Sequence, residues 1–154
     1  MHDKAPPRGW PRLSSAVFYD DAAAAIDWLT RVFGVDTRVR VDGPDGRVVH
    51  SQLTFGEGMV MISQVGLQGG ANHSCPRKSP RGAGGANTQS VMLCVDDVDA
   101  HCERARAGGA KILIEPATQD YGPDYWSDRT YLAEDPEGHQ WWFLQRLREA
   151  PEAR

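Results

Sequence analysis

The chain has 154 residues and a formal net charge of -4, and its 40% apolar content is enough to build a hydrophobic core. Lys and Arg are scattered rather than clustered, which argues against nucleic-acid binding. No apolar run approaches the roughly 20 residues of a membrane-spanning helix, and the first residues lack the hydrophobic stretch of a secretory signal. Cys75, Cys94 and Cys102 have no metal-ligand spacing, so we expect free thiols in a cytoplasmic protein.

The sequence is predicted to form two similar modules joined by a linker. The chain begins with a proline-containing arm, and the segment between the modules is rich in glycine, too long and too polar for a simple hairpin. The predicted division is an arm over residues 1–12, a first module over 13–63, a linker over 64–88, a second module over 89–145 and a tail over 146–154.

The first module is predicted to contain a strand, a helix and three further strands. Asp20 and Asp21 precede apolar residues at helical spacing, and acidic side chains there satisfy free N–H groups at a helix start. Gly34 is expected to end that helix, and residues 42–46 carry the glycines and proline of a hairpin turn. The predicted strands cover residues 13–19, 35–41, 47–55 and 59–63.

Alternation along the strand that follows the hairpin turn assigns its side chains to two faces. Val49 falls on the same face as Leu53. His50, Gln52 and Thr54 fall on the other face.

The second module repeats the order of the first. Asp96 and Asp97 precede a helix whose Val98, Cys102 and Ala105 share one face. His101 on the same helix is expected to be exposed to solvent. The remaining predicted elements are strands over 90–95, 111–114, 130–133 and 140–145, with an aromatic-rich loop over 115–127 and a turn at Asp135-Pro136-Glu137-Gly138.

Two such modules, the run Val95–Ala100 followed by Gly109–Lys111, and the turn over residues 135–138 together resemble the vicinal oxygen chelate superfamily. That superfamily includes glyoxalase, extradiol dioxygenases, fosfomycin-resistance enzymes and bleomycin-resistance proteins. The resemblance covers residues 13–145. It implies an α+β fold in which two βαβββ modules form a curved mixed sheet around a cleft that holds the ligand, and it favours a homodimer.

The resemblance also indicates where a metal would be held. Enzymes of the superfamily bind a divalent cation through His, Gln or Glu on the first and last strands of the modules. The matching positions here are Ser14, Ile62, Ser90 and Trp142, which are not usual ligands of such a metal. A shift of one residue would offer only Gln89 as a donor and would reverse the faces of each strand. We therefore expect no metal and no cofactor, as in the bleomycin-resistance branch.

A mixture of apolar wall and a few polar groups is typical of a small-molecule pocket. The predicted ligand-binding residues are Ser14, Phe18, His50, Gln52, Thr54, Ser90, Met92, Gln140 and Trp142, with Tyr121 and Trp126 at the rim. His50 is either a hydrogen-bonding or acid–base group or a partly exposed strand histidine. Trp142 either stacks on a planar ligand or fills space, and the rim aromatics form a lid, pack the loop or lie in a dimer contact.

Three functions are compatible with this pattern. The first is a protein without catalytic activity that sequesters an aromatic or planar compound, and the missing metal donors favour it. The second is a lyase, isomerase or dioxygenase of the same superfamily, using metal donors placed elsewhere or acid–base chemistry through His50. The third is an interaction module that binds a partner protein and no small ligand.

Overall fold

A computed structural model of the protein describes residues 5–67 and 76–151. Cys75 lies outside the described residues. The chain divides into two compact units, Met1–Gly82 and Ala83–Arg154, and the division falls inside the segment predicted to be a linker. Each unit contains one βαβββ module with a four-stranded mixed sheet, which confirms the predicted α+β class.

The first unit contains five elements in the predicted order. They are β1 (Ser15–Tyr19), α1 (Ala22–Phe33), β2 (Asp36–Asp42), β3 (Val48–Phe55) and β4 (Gly58–Gln64). The sheet order is β1-β4-β3-β2, and β1 runs parallel to β4 while the other pairs are antiparallel. A 3₁₀ turn over Arg81–Ala83 lies at the boundary between the units.

The ends of α1 are fixed by the residues that the sequence indicated. The carboxylate of Asp21 accepts a hydrogen bond from the backbone N–H of Ala24 at 3.0 Å, which satisfies one of the free donors of the first turn. Gly34 takes the left-handed conformation with φ of 73° and ends the helix. The predicted apolar stripe is fully packed against the sheet: Ala22, Ala25, Ile26, Leu29, Val32 and Phe33 are all buried.

A bulge in β3 overturns the predicted position of Val49. His50 pairs with Val41, but the next pair is Val48 with Asp42, so Val49 is left over. The extra residue reverses the alternation: Val48 is 1% exposed and Val49 is 53% exposed. The prediction that Val49 shares the face of the buried Leu53 was therefore wrong.

The second unit repeats this topology. Its elements are β5 (Val91–Cys94), α2 (Val98–Ala107), β6 (Lys111–Asp120), β7 (Ser127–Glu134) and β8 (Gln140–Arg148). The sheet order is β5-β8-β7-β6, with β5 parallel to β8 and the other pairs antiparallel. The strand β8 continues three residues beyond the predicted end at Gln145.

The predicted loop over residues 115–127 was mostly wrong. The strand β6 continues to Asp120 and pairs with β7 as far as Ser127, so only a short turn separates them. Pro116 is accommodated in this strand because β6 is an edge strand and its register shifts between Ile114 and Ala117. Proline is tolerated at such edge bulges, where its missing N–H breaks no ladder bond.

The helix α2 begins at the predicted cap, where the Asp97 carboxylate accepts from the backbone N–H of Ala100 at 2.9 Å. His101 on this helix is only 7% exposed, so the prediction of a solvent-exposed histidine was wrong. Its Nδ1 lies 2.6 Å from the hydroxyl of Tyr131, and its ring packs 4.3 Å from that of Phe143, measured between centroids. The polar partner lies on β7, far away in sequence, and this explains why the helical pattern alone did not reveal the contact.

The turn before β8 is organised by one buried carboxylate. Asp135 accepts hydrogen bonds from the backbone N–H groups of Glu137 and His139, both at 3.0 Å, and from the indole N–H of Trp141 at 3.0 Å. Gly138 adopts a φ of 91°, which a residue with a side chain rarely takes. The predicted turn is thus tied directly to the strand that follows it.

Candidate functional site

Each sheet has one face covered by the helix of its own unit and one face without a helix, here called the open face. In the second sheet Trp141 and Phe143 are fully buried, whereas the alternate residues Trp142 and Leu144 are half-buried. Since side chains alternate along a strand, Trp142 belongs to the open face. The two open faces carry most of the residues that the sequence singled out.

The open face of the second sheet carries a row of large apolar side chains across all four strands. Met92 pairs with Trp142, Trp142 with Leu132, and Leu132 with Ile114. Met92 and Ile114 remain 58% and 44% exposed. Directly paired side chains of neighbouring strands lie about 5 Å apart, so these four residues, the apolar row, form a continuous platform with an indole near its centre.

The open face of the first sheet is more polar. Phe18 pairs with Ser63 across β1 and β4, and Gln52 Nε2 lies 3.0 Å from Nε2 of His50 on β3. The Gln52 amide can donate to the unprotonated nitrogen of the imidazole. Gln52 is buried and His50 exposed, so the pair presents the histidine toward solvent.

The prediction that Ile62 occupies the metal-ligand position of β4 was wrong. Ile62 pairs with Val17, and both are buried on the helix-covered face. The half-buried Met61, which pairs with Ala16, occupies the open face instead. The alternation along β4 is thus one residue out of step with the prediction.

A segment after residue 75 packs onto the first unit. The guanidinium of Arg77 lies 4.9 Å from the ring centroid of Phe18, within the range of a cation–π contact. Ser79 is fully buried and donates a hydrogen bond to the carboxylate of Asp20 at 2.9 Å. The Arg81 guanidinium lies 3.4 Å from the same carboxylate. Asp20 therefore holds this segment beside the end of β1.

The predicted rim residues lie in the β6–β7 turn. The rings of Tyr121 and Trp126 are 5.6 Å apart between centroids, and Tyr125 meets Trp126 edge-on at 6.1 Å. The Arg146 guanidinium lies 5.5 Å from the Trp126 ring. All three aromatic residues are exposed. They form one cluster on a hairpin turn of the second unit.

The remaining predicted residues are divided between the two units. In the first unit Ser14 is half-buried just before β1, and Thr54 is half-buried near the end of β3. In the second unit Ser90 is exposed just before β5, and Gln140 is half-buried at the start of β8.

The residues of the open faces do not fit a divalent metal. Over residues 5–67 and 76–151 no group of three or more His, Cys, Asp or Glu side chains is placed to hold an ion. The positions on the first and last strands of the sheets carry hydroxyl, thioether and indole groups, which are poor donors for the hard or borderline cations of such sites. His50 is associated with an amide rather than with a second metal donor.

Some residues of these faces were missed from the sequence. Leu132 and Ile114 complete the apolar row. Leu132 pairs with Trp142 through the β7–β8 register, and Ile114 pairs with Leu132 at an irregular point of β6. For Leu132, the signal available in the sequence was its place between Tyr131 and Ala133, since successive residues of a strand point to opposite faces. Arg77 gave no signal, because its contact with Phe18 depends on the path of a glycine-rich segment.

The cysteines differ in environment. Cys102 is fully buried on α2, and burial raises the pKa of its thiol above the usual value. Cys94 is exposed at the end of β5, and both are free thiols. A thiol kept protonated and buried is a poor nucleophile, so Cys102 is part of the core.

Comparisons with known proteins agree with the fold. The sequence matches the Glyoxalase/Bleomycin resistance protein/Dioxygenase superfamily over residues 13–143. An uncharacterized protein of Mycobacterium bovis is 36% identical over 141 residues, which span 90% of this chain and 86% of that protein. TioX from Micromonospora sp. ML1 is 30% identical, with a TM-score of 0.64 over 89% of this chain and 99% of its own. TnmS3 from Streptomyces sp. CB03234 is 21% identical, with a TM-score of 0.60 over 86% of this chain and 93% of its own.

The fold and the match over residues 13–143 define the class of this protein. The chain belongs to the Glyoxalase/Bleomycin resistance protein/Dioxygenase superfamily. Among the helices that the structure describes, none is both long and apolar enough to cross a membrane.

Proposed function

We propose that this protein binds a small aromatic or planar molecule without the help of a metal. The observation that carries the proposal is the apolar row on the open face of the second sheet, with Trp142 between Met92 and Leu132. An indole flanked by apolar side chains offers a planar ligand both stacking and burial of apolar area. Leu132 is buried at 7% exposure, but Met92, Trp142 and Ile114 are partly exposed and form the accessible part of the row.

Polar contacts orient ligands in small-molecule sites. On the open face of the first unit the proposed polar contacts are His50 and Gln52, with Ser14 and Thr54 as further hydroxyl contacts. It assigns Phe18, Ser90 and Gln140 to ligand contact, and Tyr121 and Trp126 to the rim. The biological role that follows is resistance by sequestration of a toxic compound in the cytoplasm.

The donor chemistry and the fold support this assignment. The open-face positions that would have to grip a cation carry Ser14, Met61, Ser90 and Trp142, a set that does not fit one. The fold is compatible with binding a drug-like molecule, since TnmS3, an antibiotic binding protein, also has it.

A titration followed by calorimetry tests the proposal. Planar polycyclic compounds such as anthraquinones and acridines would be compared with saturated analogues of similar size. We expect Trp142→Leu to weaken binding of the planar compounds roughly tenfold, because stacking and burial of an indole are worth about 1–2 kcal/mol. Tight binding of planar compounds by Trp142→Leu, or equal binding of the saturated analogues, would contradict the stacking platform.

A matched pair of substitutions serves as the control. Ile114 and Leu147 are aliphatic residues of the second unit with similar exposure, 44% and 48%, but only Ile114 lies in the apolar row. Ile114→Ala should weaken binding about threefold through lost apolar contact, and Leu147→Ala should leave it unchanged. Elemental analysis of the purified protein, and titration before and after chelator treatment, test the metal-free part of the proposal.

Acid–base catalysis through His50 is the second candidate function. The Gln52 amide contacts Nε2 of His50 on an open sheet face. In the flipped amide orientation the Gln52 oxygen accepts the Nε2–H and leaves Nδ1 unprotonated, as a general base requires. Turnover of glutathione–methylglyoxal adducts or catechols that is lost in His50→Gln would favour it. If turnover also disappears with a chelator, a metal-dependent lyase, isomerase or dioxygenase replaces the binding function.

We also propose a homodimer, as the resemblance implied. Light scattering coupled to size-exclusion chromatography measures its mass directly. A single species of 17.0 kDa, the mass of one chain, across micromolar concentrations would contradict it.

A further inference from the structure

A cavity lies within the first unit, between the N-terminal arm and the part of the open face where Thr54 pairs with Met59. Its volume is about 360 Å³, which falls in the range of small-ligand sites. One wall is the end of the N-terminal arm and the other is the β3–β4 hairpin. The lining residues are Gly9, Trp10, Pro11, Thr54, Gly56, Glu57, Gly58 and Met59.

The arm is held in place by a specific contact with β2. The Arg38 guanidinium donates a hydrogen bond to the carbonyl of Gly9. Gly9 has a φ of 75°, and a Cβ built there would come within 2.8 Å of the Arg38 guanidinium. The backbone N–H of Trp10 also donates to the Pro7 carbonyl at 2.9 Å, so these two hydrogen bonds hold the backbone of the arm beside the cavity.

The hairpin side of the cavity is kept open by two glycines. Gly56 turns the chain with a φ of 54°, and no atom lies within 4 Å of the position of its missing Cβ. Gly58 likewise contributes only backbone to the lining. The side chains of this wall are therefore Thr54, Glu57 and Met59.

The chemistry of the lining selects the charge of a ligand. Glu57 is the charged residue among the lining residues and Trp10 is the aromatic one, while the Arg38 guanidinium is engaged with the carbonyl of Gly9 at the arm. A carboxylate beside an indole attracts a cation, and a weakly hydrated quaternary ammonium is favoured by the face of an aromatic ring. The thioether of Met59 adds polarizable contact for methyl groups.

We propose that this cavity is a binding site for a small organic cation of the quaternary ammonium class, with Trp10 as the aromatic contact and Glu57 as the counter-charge. The site is independent of the apolar row of the second unit. An anionic ligand would meet Glu57 with unfavourable charge, and a neutral ligand would gain no attraction from its carboxylate, which is exposed to water.

The experiment uses choline and its uncharged isostere neohexanol with the full chain. The readout is the indole N–H resonance of Trp10 in a heteronuclear NMR spectrum, assigned with Trp10→Phe. We expect choline to shift this resonance with millimolar affinity and neohexanol to bind at least threefold more weakly. Raising the salt concentration should weaken choline binding, because an exposed charge pair is screened.

Variants separate the charge from the cavity. Glu57→Gln keeps the shape of the turn and should weaken choline binding roughly fivefold, as expected for loss of one exposed counter-charge. The control is Glu103→Gln, an exposed glutamate on α2 of the second unit, which should leave binding unchanged. Arg38→Gln should release the arm and weaken choline and neohexanol alike.

The outcomes decide the proposal. Selective binding of choline that depends on Glu57 supports it. A Trp10 resonance that neither compound moves, equal affinity for choline and neohexanol, or an unchanged choline affinity in Glu57→Gln overturns it. The cavity shares Thr54 with the ligand contacts proposed above but contains no residue of the apolar row, so Trp142→Leu tests that function and Glu57→Gln tests this site.

Discussion

The two units share one topology but differ in what their sheets present. In the first unit the open face carries Phe18, Ser63 and the hydrogen-bonded pair His50–Gln52. In the second, the same face carries the apolar row around Trp142. Because successive side chains of a strand point to opposite faces, the open faces could diverge while the helix-covered faces kept the fold.

The helix-covered faces differ as well. In the first core the hydroxyl of Ser51 donates to the carbonyl of Ile62 at 2.6 Å and accepts from its N–H at 2.9 Å. In the second core the corresponding strand position carries Tyr131, which is bonded to His101 and stacked on Phe143 at 4.7 Å between centroids. The same place in the topology is thus filled once by a small group that bonds the backbone and once by a ring that bonds a side chain.

The largest expected effect concerns the two turns before the last strands. Asp135→Ala should lower the free energy of unfolding by about 3 kcal/mol, because it removes the acceptor for three donors in a buried turn. Glu57→Ala in the corresponding turn of the first unit should change it by less than about 0.5 kcal/mol, since Glu57 is exposed. Denaturant unfolding measures both.

Equal effects of these two substitutions would show that the turns are equivalent and would break the comparison. Asp135→Asn tests whether the carboxylate itself is needed in the second turn. The amide keeps one acceptor oxygen but places an N–H₂ group against donors, so most of the loss should remain.

The next effect compares the polar groups of the two cores. Ser51→Ala should cost about 2 kcal/mol, because the hydroxyl bonds both the N–H and the carbonyl of the buried Ile62. Tyr131→Phe removes one bond to His101 and should cost about 1 kcal/mol. Thermal and denaturant unfolding give the two values, and a larger cost for Tyr131→Phe would reverse the order proposed here.

The alkaline limb of the stability profile tests the second core separately. Burial raises the pKa of Tyr131 above its ordinary value of 10.0. The unfolded chain then loses the phenolic proton at a lower pH than the folded chain. The contribution of Tyr131 to the free energy of unfolding is therefore fully present below pH 10 and is lost as the pH rises above it. Tyr131→Phe should flatten this slope, and an unchanged slope in the variant would contradict the assignment to Tyr131.

The smallest effect compares the ion pairs that join each helix to its sheet. Arg129 contacts both oxygens of Asp99 at 2.7 Å, whereas Arg40 lies 3.4 Å from Asp27. The bond from Arg129 lowers the pKa of Asp99, so its contribution is present above the ordinary aspartate pKa and is lost as the pH falls.

Asp99→Asn should therefore reduce stability slightly more than Asp27→Asn. High salt should reduce both effects, since these pairs are exposed. Thermal unfolding at neutral pH in low and high salt measures the difference, and a larger effect of Asp27→Asn would contradict the ranking by geometry.

The sequence predicted the parts of the fold that depend on local chemistry. Asp21 and Gly34 bound α1 because caps act within a few residues of themselves. The turn at residues 135–138 was predicted for the same reason. The membership of the superfamily followed from these local signals taken in order along the chain.

The sequence could not predict features that depend on pairing between strands. The bulge at Val49 changed the predicted faces of β3, and the extension of β6 past Pro116 replaced part of the predicted loop. Both features are set by the partner strand. His101 was misjudged because its partner Tyr131 is 30 residues away. The apolar row could be predicted at Met92 and Trp142, but its other half required the register of β6 and β7.

Pro116 also limits how this protein can associate. It lies on β6, the outermost strand of the second sheet, where the register is already irregular. A strand from another molecule that approached along this margin would find an amide hydrogen missing and the spacing of the carbonyl groups disturbed. Fibre-like addition of further strands is disfavoured there, and any copy that docks on this side has to rely on side-chain packing.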